Sequence, residues 1–321
     1  MSGRQPRFVS EMATALMVEP QYGMSWSALS TVALAAERLG FGTFLRSDHY
    51  TAFDGIARPS TDAWATLAGL APLTTTIRLG TLVSPVTFRY PGELAKVAAT
   101  VDEMSDGRVD LGLGTGWYEP EHARHGLPFP DARARREMLA EGLAVIRTLW
   151  GPDGASLEGE RWPVRDTQFH PKPRARLVLG GNGGPKSLAL AAEWADEYNV
   201  YDLGTDGVAD VWTRLRAACQ AIGRDPATIS LSVMAVTVLG SGSDLRERIG
   251  NLRRVLPDVG DDDEVVARGR STWLVGDGDA IVDRVAALRR TGASKIVFQD
   301  MTADDLSMVE DLARQVLPRI A

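Results

Sequence analysis

The chain of 321 residues lacks several features that mark whole classes of protein. Its only cysteine is Cys219, so it cannot form an internal disulfide, which fits a reducing cytoplasm. No apolar run is long enough to span a bilayer, and we expect no secretory signal in the first residues. Long basic runs are also missing and the net charge is −7, which disfavours nucleic acids and anionic membranes as partners.

Histidine is scarce as well, with four in the chain, and this bears on metal binding. His122 and His125 stand three apart beside Glu119 and Glu121, but no third well-spaced ligand is visible. We therefore interpret this stretch as the solvated start of a helix. The acidic run 261–264 is interpreted as a solvated loop. The sequence predicts no metal site.

What the chain does have is a regular alternation of strands and helices. Eight apolar segments are typical of strands, and helices with apolar residues at helical spacing follow most of them. The predicted strands cover residues 12–18, 41–46, 77–83, 109–114, 177–181, 198–201, 229–240 and 295–299. Eight such units predict the α/β class and a closed (β/α)8 TIM barrel in one domain, 1–321. An open doubly wound sheet is the rival, disfavoured because the first strand–helix turn is not glycine-rich.

Two long segments exceed this pattern. Residues 151–176 follow the fourth strand and its helix, and residues 255–277 follow the seventh. Long insertions in barrels often cover the active mouth or an interface, so both are predicted to lie there and to face the substrate.

In a barrel the chemistry lies at the C-terminal ends of the strands, so the residues there are candidates. The first four strands end in Glu19, Asp48, His49, Leu82, Val83, Gly114, Thr115, Gly116 and Trp117. Imidazole suits acid–base work near neutral pH, which makes His49 a candidate proton donor or acceptor. Asp48 and His49 would point to opposite sides of an extended chain, so no catalytic dyad is predicted from their adjacency.

The fifth strand ends in a glycine-rich turn. The turn comprises Gly180, Gly181, Asn182, Gly183 and Gly184, and a helix that begins with proline follows. Glycines let the backbone approach a ligand, and a helix N-terminus favours negative charge, so the turn predicts an anion site, most often for phosphate. A plain tight turn is the alternative, and barrel phosphate sites more often follow strands 7 and 8. The glycines in 112–116 are too closely spaced for a dinucleotide fingerprint.

In this order, the motifs resemble those of the bacterial luciferase-like monooxygenase superfamily, and within it the oxidoreductases that use the deazaflavin coenzyme F420. Matching stretches cover nearly the whole chain and include "AERLGFGTFLRSDHY", "VDLGLGTGWYEPEH" and "LGGNGGPKSLALAAEWADEYN". The resemblance implies a barrel, usually a homodimer, that holds the cofactor ring in its mouth. The FMN branch shares the same frame, so FMN is the alternative cofactor.

The resemblance also implies roles for the strand ends. His49 would face the ring as proton donor or acceptor, with Asp48 in the same motif. Leu82–Val83 would be a non-prolyl cis peptide that backs the ring, 114–117 would line the pocket, and 181–184 would hold the coenzyme phosphate. Glu19 would contact the ring or the substrate. Asn182 stands where close relatives often carry glycine.

The expected activity is hydride transfer between coenzyme F420 and a small or medium organic substrate, with a separate reductase that regenerates the cofactor. The residues expected to face the substrate are Tyr22, Phe53, Trp117 and Tyr118. The alternatives are an FMN monooxygenase supplied by its own reductase and a cofactor-binding protein without turnover. A serine hydrolase is remote because no G-x-S-x-G elbow occurs.

Overall fold

Eight parallel strands close into a barrel in the computed structural model, which describes residues 13–302 and 306–320. The strands within these ranges are β1 (Ala13–Val18), β2 (Thr43–Arg46), β3 (Arg78–Thr81), β4 (Ser84–Pro85), β5 (Val109–Gly114), β6 (Arg176–Gly180), β7 (Glu197–Tyr201), β8 (Ser230–Leu239), β9 (Leu274–Gly276) and β10 (Lys295–Asp300). Strand β10 pairs with both β1 and β8, which closes the ring. The predicted (β/α)8 barrel is confirmed, although Met12 of the first predicted strand lies outside the described residues.

The two strands outside the ring are short. Strand β4 continues the path of β3 and pairs with β5, whereas β9 pairs with the end of β8 that extends above the barrel.

Helices surround the barrel. Those within the described ranges are α1 (Trp26–Arg38), α2 (Ala63–Leu70), α3 (Pro91–Met104), α4 (Glu119–Arg124), α5 (Ala132–Trp150), α6 (Pro185–Trp194), α7 (Gly204–Ala221), α8 (Gly242–Val255), α9 (Asp262–Gly269), α10 (Gly278–Arg290), α11 (Leu306–Gln315) and α12 (Leu317–Ile320). Asp62, Asp131 and Asp277 each start a helix by accepting a backbone N–H from three residues further on. No helix in these ranges is both long and apolar enough to cross a membrane.

The barrel interior is apolar in its middle and charged at its N-terminal end. Along β1, Leu16 and Val18 pack against the helices, while Ala15 and Met17 belong to a separate cluster of interior side chains. At the N-terminal end the buried Asp110 accepts hydrogen bonds from two arginines, Arg78 and Arg176, at 2.5–2.8 Å. Burial alone would raise the pKa of Asp110, but the neighbouring cations lower it. The ion pairs close this end and leave the C-terminal end for a site.

The two long insertions lie in different places. Residues 151–176 connect a helix to the start of a strand, so they run on the N-terminal side and pack outside the barrel. Glu141 of α5 accepts the backbone N–H groups of Arg161 and Trp162 at 2.7 Å, and Lys96 of α3 donates to the His170 carbonyl. The prediction that this segment faces the substrate is therefore wrong.

The second insertion does reach the mouth. Within 255–277, residues Val255 to Val259 and Trp273 border a cavity of about 280 Å³ together with Tyr22 and Phe53. The sequence interpretation of the acidic run 261–264 as a solvated loop is wrong, because this run starts a helix. Asp261 and Glu264 form a reciprocal capping box that starts α9.

Candidate active site

His49 lies just past the end of β2, at the C-terminal mouth, with its side chain 14% exposed. Its Nδ1 lies 2.9 Å from Oε2 of Glu121, whose other oxygen accepts the backbone N–H groups of Tyr50 and Thr51. Burial alone would raise the pKa of Glu121, but the bonds from His49 and the backbone lower it, so the carboxylate is ionised at neutral pH. An ionised acceptor fixes the tautomer of His49 with hydrogen on Nδ1 and leaves Nε2 for proton exchange.

Glu121 belongs to α4, so the predicted helix start is confirmed, but the expectation that the whole stretch is solvated is wrong. Glu121 and His122 are both buried. The His122 ring bonds to Thr87 Oγ1 at 2.7 Å through Nε2 and to the Tyr118 carbonyl at 2.9 Å through Nδ1. His125 is exposed. Within the described ranges, no three side chains of the metal-ligating types gather in a group that could hold a metal ion.

Asp48 precedes His49, and its buried carboxylate bonds elsewhere. Arg89 donates to both carboxylate oxygens, at 2.5 and 3.2 Å, and Ser84 Oγ donates to one of them at 2.6 Å. Burial disfavours both charges: it raises the pKa of Asp48 against the effect of Arg89, whereas on Arg89 it is outweighed by Asp48 and Asp62, which raise the pKa of the guanidinium. Asp48 therefore ties the end of β2 to the segment that follows β3.

The peptide bond between Leu82 and Val83 is cis, as the resemblance implies. It carries the chain from β3 to β4. The Val83 side chain lies against the ends of β5 and β6, because a Cβ on Gly114 would be 2.6 Å from Val83 Cγ2 and one on Gly180 would be 3.0 Å from Cγ1. These two glycines are thus needed to admit Val83, which covers the apolar barrel interior and offers a surface on which a flat ring can rest.

The end of β5 continues through Thr115 and Gly116 to Trp117. Gly116 has a φ of +74°, and a Cβ there would lie 3.1 Å from Thr87 Oγ1 and 3.2 Å from Pro85 Cβ. Glycine is needed here because the backbone is left-handed and its surroundings are close. Thr115 is half-buried, and its hydroxyl bonds locally to the Gly116 carbonyl at 3.3 Å.

Tyr22, Phe53, Trp117 and Tyr118 form one aromatic cluster beside His49. Phe53 is central, with ring centroids 4.7 Å from His49, 4.8 Å from Trp117, 5.0 Å from Tyr118 and 5.9 Å from Tyr22. Trp117 is 61% exposed, so the cluster forms the outer wall of the mouth. The structure brings these four residues together, and their contact with a substrate stays a prediction.

Glu19 at the end of β1 is buried within a network of amides. Its carboxylate accepts hydrogen bonds from Gln21 at 2.7 Å and from Gln299 at 2.6 Å, and Ser47 donates to Gln21 at 2.7 Å. The network joins the ends of β10, β1 and β2. It satisfies a carboxylate that would otherwise be costly to bury.

Loop 180–184 at the end of β6 has the features of an anion site. Gly183 donates its N–H to the Tyr198 hydroxyl at 3.0 Å, and Arg214 donates to the Gly183 carbonyl at 2.5 Å. Gly184 is the N-cap of α6, no side chain caps the helix, and a Cβ on Gly184 would meet nothing within 4 Å. The first N–H groups of α6 thus have open space beside them, which suits phosphate. Asn182 is exposed, so its replacement of glycine disturbs no packing.

Glu121 and Arg89 are the main site residues that sequence patterns did not identify. Glu121 is 72 positions from His49, and Arg89 is 41 positions from Asp48. The available signal is that both lie in the segments that follow barrel strands at the C-terminal mouth, Arg89 after β3 and β4 and Glu121 after β5. Local charge alone made the stretch around Glu121 look solvated.

Comparison with known proteins places these features in context. Residues 8–256 match the model of the family described as luciferase-like monooxygenase. The F420-dependent glucose-6-phosphate dehydrogenase of Beutenbergia cavernae is 28% identical over 313 residues, which cover 91% of this chain and 93% of that relative. Pyrimidine monooxygenase RutA of Rhizobium rhizogenes is 30% identical over 225 residues, which cover 66% of this chain and 61% of that relative.

Solved structures share the whole architecture. An F420-dependent secondary alcohol dehydrogenase in complex with an F420-acetone adduct matches with a TM-score of 0.83 at 17% identity. The match covers 97% of this chain and 99% of that one. At this identity the likeness shows the fold, so the choice of chemistry rests on the site and on the sequence relatives.

Proposed function

The chain belongs to the luciferase-like monooxygenase family, and we propose that within it the chain is a coenzyme F420-dependent oxidoreductase. It would transfer a hydride between the deazaflavin and a small or medium organic substrate. The observation that carries the proposal is His49 held by the buried Glu121 at the same barrel mouth as the Val83 surface. The relative that aligns over 93% of its own length is named as F420-dependent, which supports this choice of cofactor.

The bound coenzyme would supply the hydride chemistry, and the chain would bind, orient and exclude water. The N-terminus of α6 at the end of loop 180–184 would hold the phosphate with its free backbone N–H groups, since those of Gly181 and Gly183 already bond to Asn199 and Tyr198. Val83 would support the ring. Where the substrate is an alcohol, His49 Nε2 would accept its hydroxyl proton, and in the reverse direction it would return that proton. Glu121 would stabilise the imidazolium formed meanwhile, since its charge lies 2.9 Å from Nδ1.

The residues present fit this cofactor. The uncapped N-terminus of α6 and the open space at Gly184 suit a phosphate group, and the side chain of Val83 provides an apolar surface. FMN also has a flat ring and a phosphate, so the same features fit it. The similarity to a pyrimidine monooxygenase over two thirds of the chain favours FMN-dependent monooxygenation as the second candidate.

Cofactor titration distinguishes the candidates. Tryptophan fluorescence of the purified protein, which has eight tryptophans, is followed during separate titrations with coenzyme F420 and FMN. We expect F420 to bind at least about tenfold more tightly, a difference of about 1.4 kcal/mol. The bound cofactor is then reduced and exposed to air. A reduced cofactor that persists supports hydride transfer, whereas rapid reoxidation with preference for FMN would overturn it.

The alternative of a cofactor-binding protein without turnover is tested by comparing the purified protein with its His49→Gln variant. His49→Gln should leave F420 affinity nearly unchanged and should abolish most of the turnover of the first substrate found by screening. Equal turnover by both proteins would exclude the proposed role of His49.

We also propose that the protein is a homodimer and that a separate reductase regenerates its cofactor. Tyr90 at the N-cap of α3 and Val97 and Met104 within the helix stand seven residues apart, and their exposed fractions are 66%, 38% and 46%. Residues seven apart share one face of a helix, so these side chains form an apolar stripe that a second copy would cover.

A further inference from the structure

A cleft of about 400 Å³ opens beside the candidate active site, between the connection from β1 to α1 and helix α8. We infer that this cleft binds an oxyanion group of the substrate, a carboxylate or a phosphate, through Arg254. The inference rests on the proposed function, because it assigns the class of substrate that the mouth would receive.

The cleft is lined by side chains of opposite charge, Glu19 and Arg254. Glu19 and Tyr22 follow β1 at the barrel mouth, and Asn251 and Arg254 belong to α8. Met24 and other apolar side chains contribute to its walls. A substrate with one anionic group is therefore oriented, because Glu19 repels that group and Arg254 attracts it.

The guanidinium of Arg254 is not paired with another group in the described part of the chain. Its side chain is exposed and makes no ion pair or hydrogen bond with any residue in 13–302 or 306–320. The adjacent Arg253 differs, since it donates to the Gly260 carbonyl at 2.9 Å and pairs with Asp262. On the same helix, Arg248 pairs with Asp311 at 2.9 Å. Arg254 is thus available for a ligand, and Asn251, one turn earlier, adds amide hydrogen bonds.

The position of the cleft in the barrel agrees with an anion site. Helix α8 follows β8, the seventh strand of the ring, and Met301 and Thr302 of the cleft follow β10, the eighth. Phosphate sites of (β/α)8 barrels are frequently built from the loops after these two strands. This site is separate from loop 180–184, which follows the fifth ring strand.

Tyr22 links the cleft to His49. Its ring lies 5.9 Å from Phe53, which lies 4.7 Å from the His49 ring. The Tyr22 hydroxyl is buried beside the Phe53 backbone and has no hydrogen bond of ordinary geometry with the described residues. A small hydroxy or oxo compound with its anionic group at Arg254 would extend past Tyr22 towards His49. The inferred substrates are therefore organic acids or phosphate esters.

Arg254→Gln, Arg254→Lys and the control Arg246→Gln test the inference. Arg246 is exposed on the same helix and does not line the cleft, so its substitution removes the same charge from the protein. The probes are inorganic phosphate and succinate, added at constant ionic strength to the full chain. Their dissociation constants follow from the concentration dependence of the melting temperature. Each titration is repeated with the protein saturated with F420, because phosphate can also occupy loop 180–184.

At least one probe should bind the unsubstituted protein and the Arg246→Gln variant equally. Arg254→Gln should weaken that probe by about tenfold or more, and Arg254→Lys by less. Preference for phosphate indicates phosphate esters as substrates, and preference for succinate indicates carboxylic acids. Failure of both probes to bind, or equal binding by Arg254→Gln, would overturn the inference.

The F420 titration keeps the two proposals apart. If F420 binds and Arg254→Gln does not change the affinity for the probes, the cofactor assignment is supported and the anion site is rejected. If Arg254→Gln weakens probe binding and F420 does not bind, the anion site is supported and the cofactor assignment is rejected.

Discussion

The imidazole Nδ1 of His49 lies 2.9 Å from Oε2 of Glu121, a carboxylate that is itself fully buried. Glu121 also accepts the backbone N–H groups of Tyr50 and Thr51, so one side chain fixes both the ring and the turn that carries it. Nε2 is then the nitrogen that can exchange a proton with a substrate. His49 thereby gains a defined tautomer and a counter-charge from Glu121, which is 72 positions away, and not from the adjacent Asp48.

The first prediction concerns this pair. Glu121→Gln keeps the size of the side chain and removes its charge, so it should lower the single-turnover rate of hydride transfer by about 10²-fold or more. His49→Gln should cost a similar factor, and the double variant should be little worse than either, because the residues act as one unit. Stopped-flow absorbance of the coenzyme measures all three rates. Losses that multiply in the double variant would contradict the pairing.

The lowered pKa of the Glu121 carboxyl predicts that the stability of the protein depends on pH. Folding lowers the pKa of Glu121, so its contribution is fully present above the pKa of the unfolded chain. It is lost as the pH falls through the lower pKa of the folded state. The urea midpoint of the native protein should therefore fall more steeply in acid than that of Glu121→Gln. Parallel acid limbs for the two proteins would count against the assignment.

The second prediction concerns Asp48 and Arg89. Arg89→Met would leave Asp48 buried without its cation, which should lower the free energy of unfolding by about 3–5 kcal/mol. Restoring neutrality with Asp48→Asn in the same chain should recover part of that loss. Arg133→Met breaks an exposed pair with Glu137 and serves as the control, with an expected change below about 1 kcal/mol. Urea unfolding measures each value, and equal losses for Arg89→Met and Arg133→Met would refute the prediction.

The third prediction tests the contact between Val83 and Gly114. Gly114→Ala places a methyl group 2.6 Å from Val83 Cγ2, so it should destabilise the fold by about 1–3 kcal/mol and weaken cofactor binding by displacing Val83. Val83→Ala removes the obstacle, and the double variant should be more stable than the sum of the single effects implies. An additive double-mutant cycle would mean that the two side chains do not compete for the same space.

Much of the barrel could be predicted because each strand carries its own signal. The segment 109–114 alternates apolar and small residues between turns, and the structure places β5 at the same bounds. The capping box of Asp261 and Glu264 was equally readable, because its three-residue spacing is a helix-start pattern, but the run of charges suggested a loop.

The site was harder because its decisive contacts are not local. The sequence around Glu121 is polar, and only the tertiary structure buries its carboxylate under the turn after β2. The length of segment 151–176 predicts a position at the mouth, yet its connectivity from α5 to β6 puts it on the other side. Burial and partner choice over 40 or more positions need the fold, whereas strand-end placement needs only the pattern.

The fourth prediction concerns the apolar stripe of Tyr90, Val97 and Met104. Val97→Glu should shift the protein from dimer to monomer in light scattering coupled to size exclusion, because a charge would have to be buried without a partner. Arg133→Glu, on an exposed part of α5, is the matched control and should leave the mass unchanged. A monomer before any substitution would reject the dimer, and a dimer that survives Val97→Glu would place its interface elsewhere.

The fifth prediction separates ligand binding from folding at loop 180–184. Gly184 has an ordinary φ of −65°, and a Cβ there meets no atom within 4 Å, so Gly184→Ala should leave the melting temperature nearly unchanged. Its methyl group would occupy the space beside the N-terminus of α6, so F420 affinity should fall by about tenfold if the phosphate binds there. Gly183→Ala is the contrasting variant, because its φ of +73° and a Cβ 2.5 Å from Val211 should destabilise the fold itself. Unchanged F420 affinity in a stable Gly184→Ala protein would mean that the phosphate lies elsewhere in the mouth, since the substitution alters the open space and nothing else.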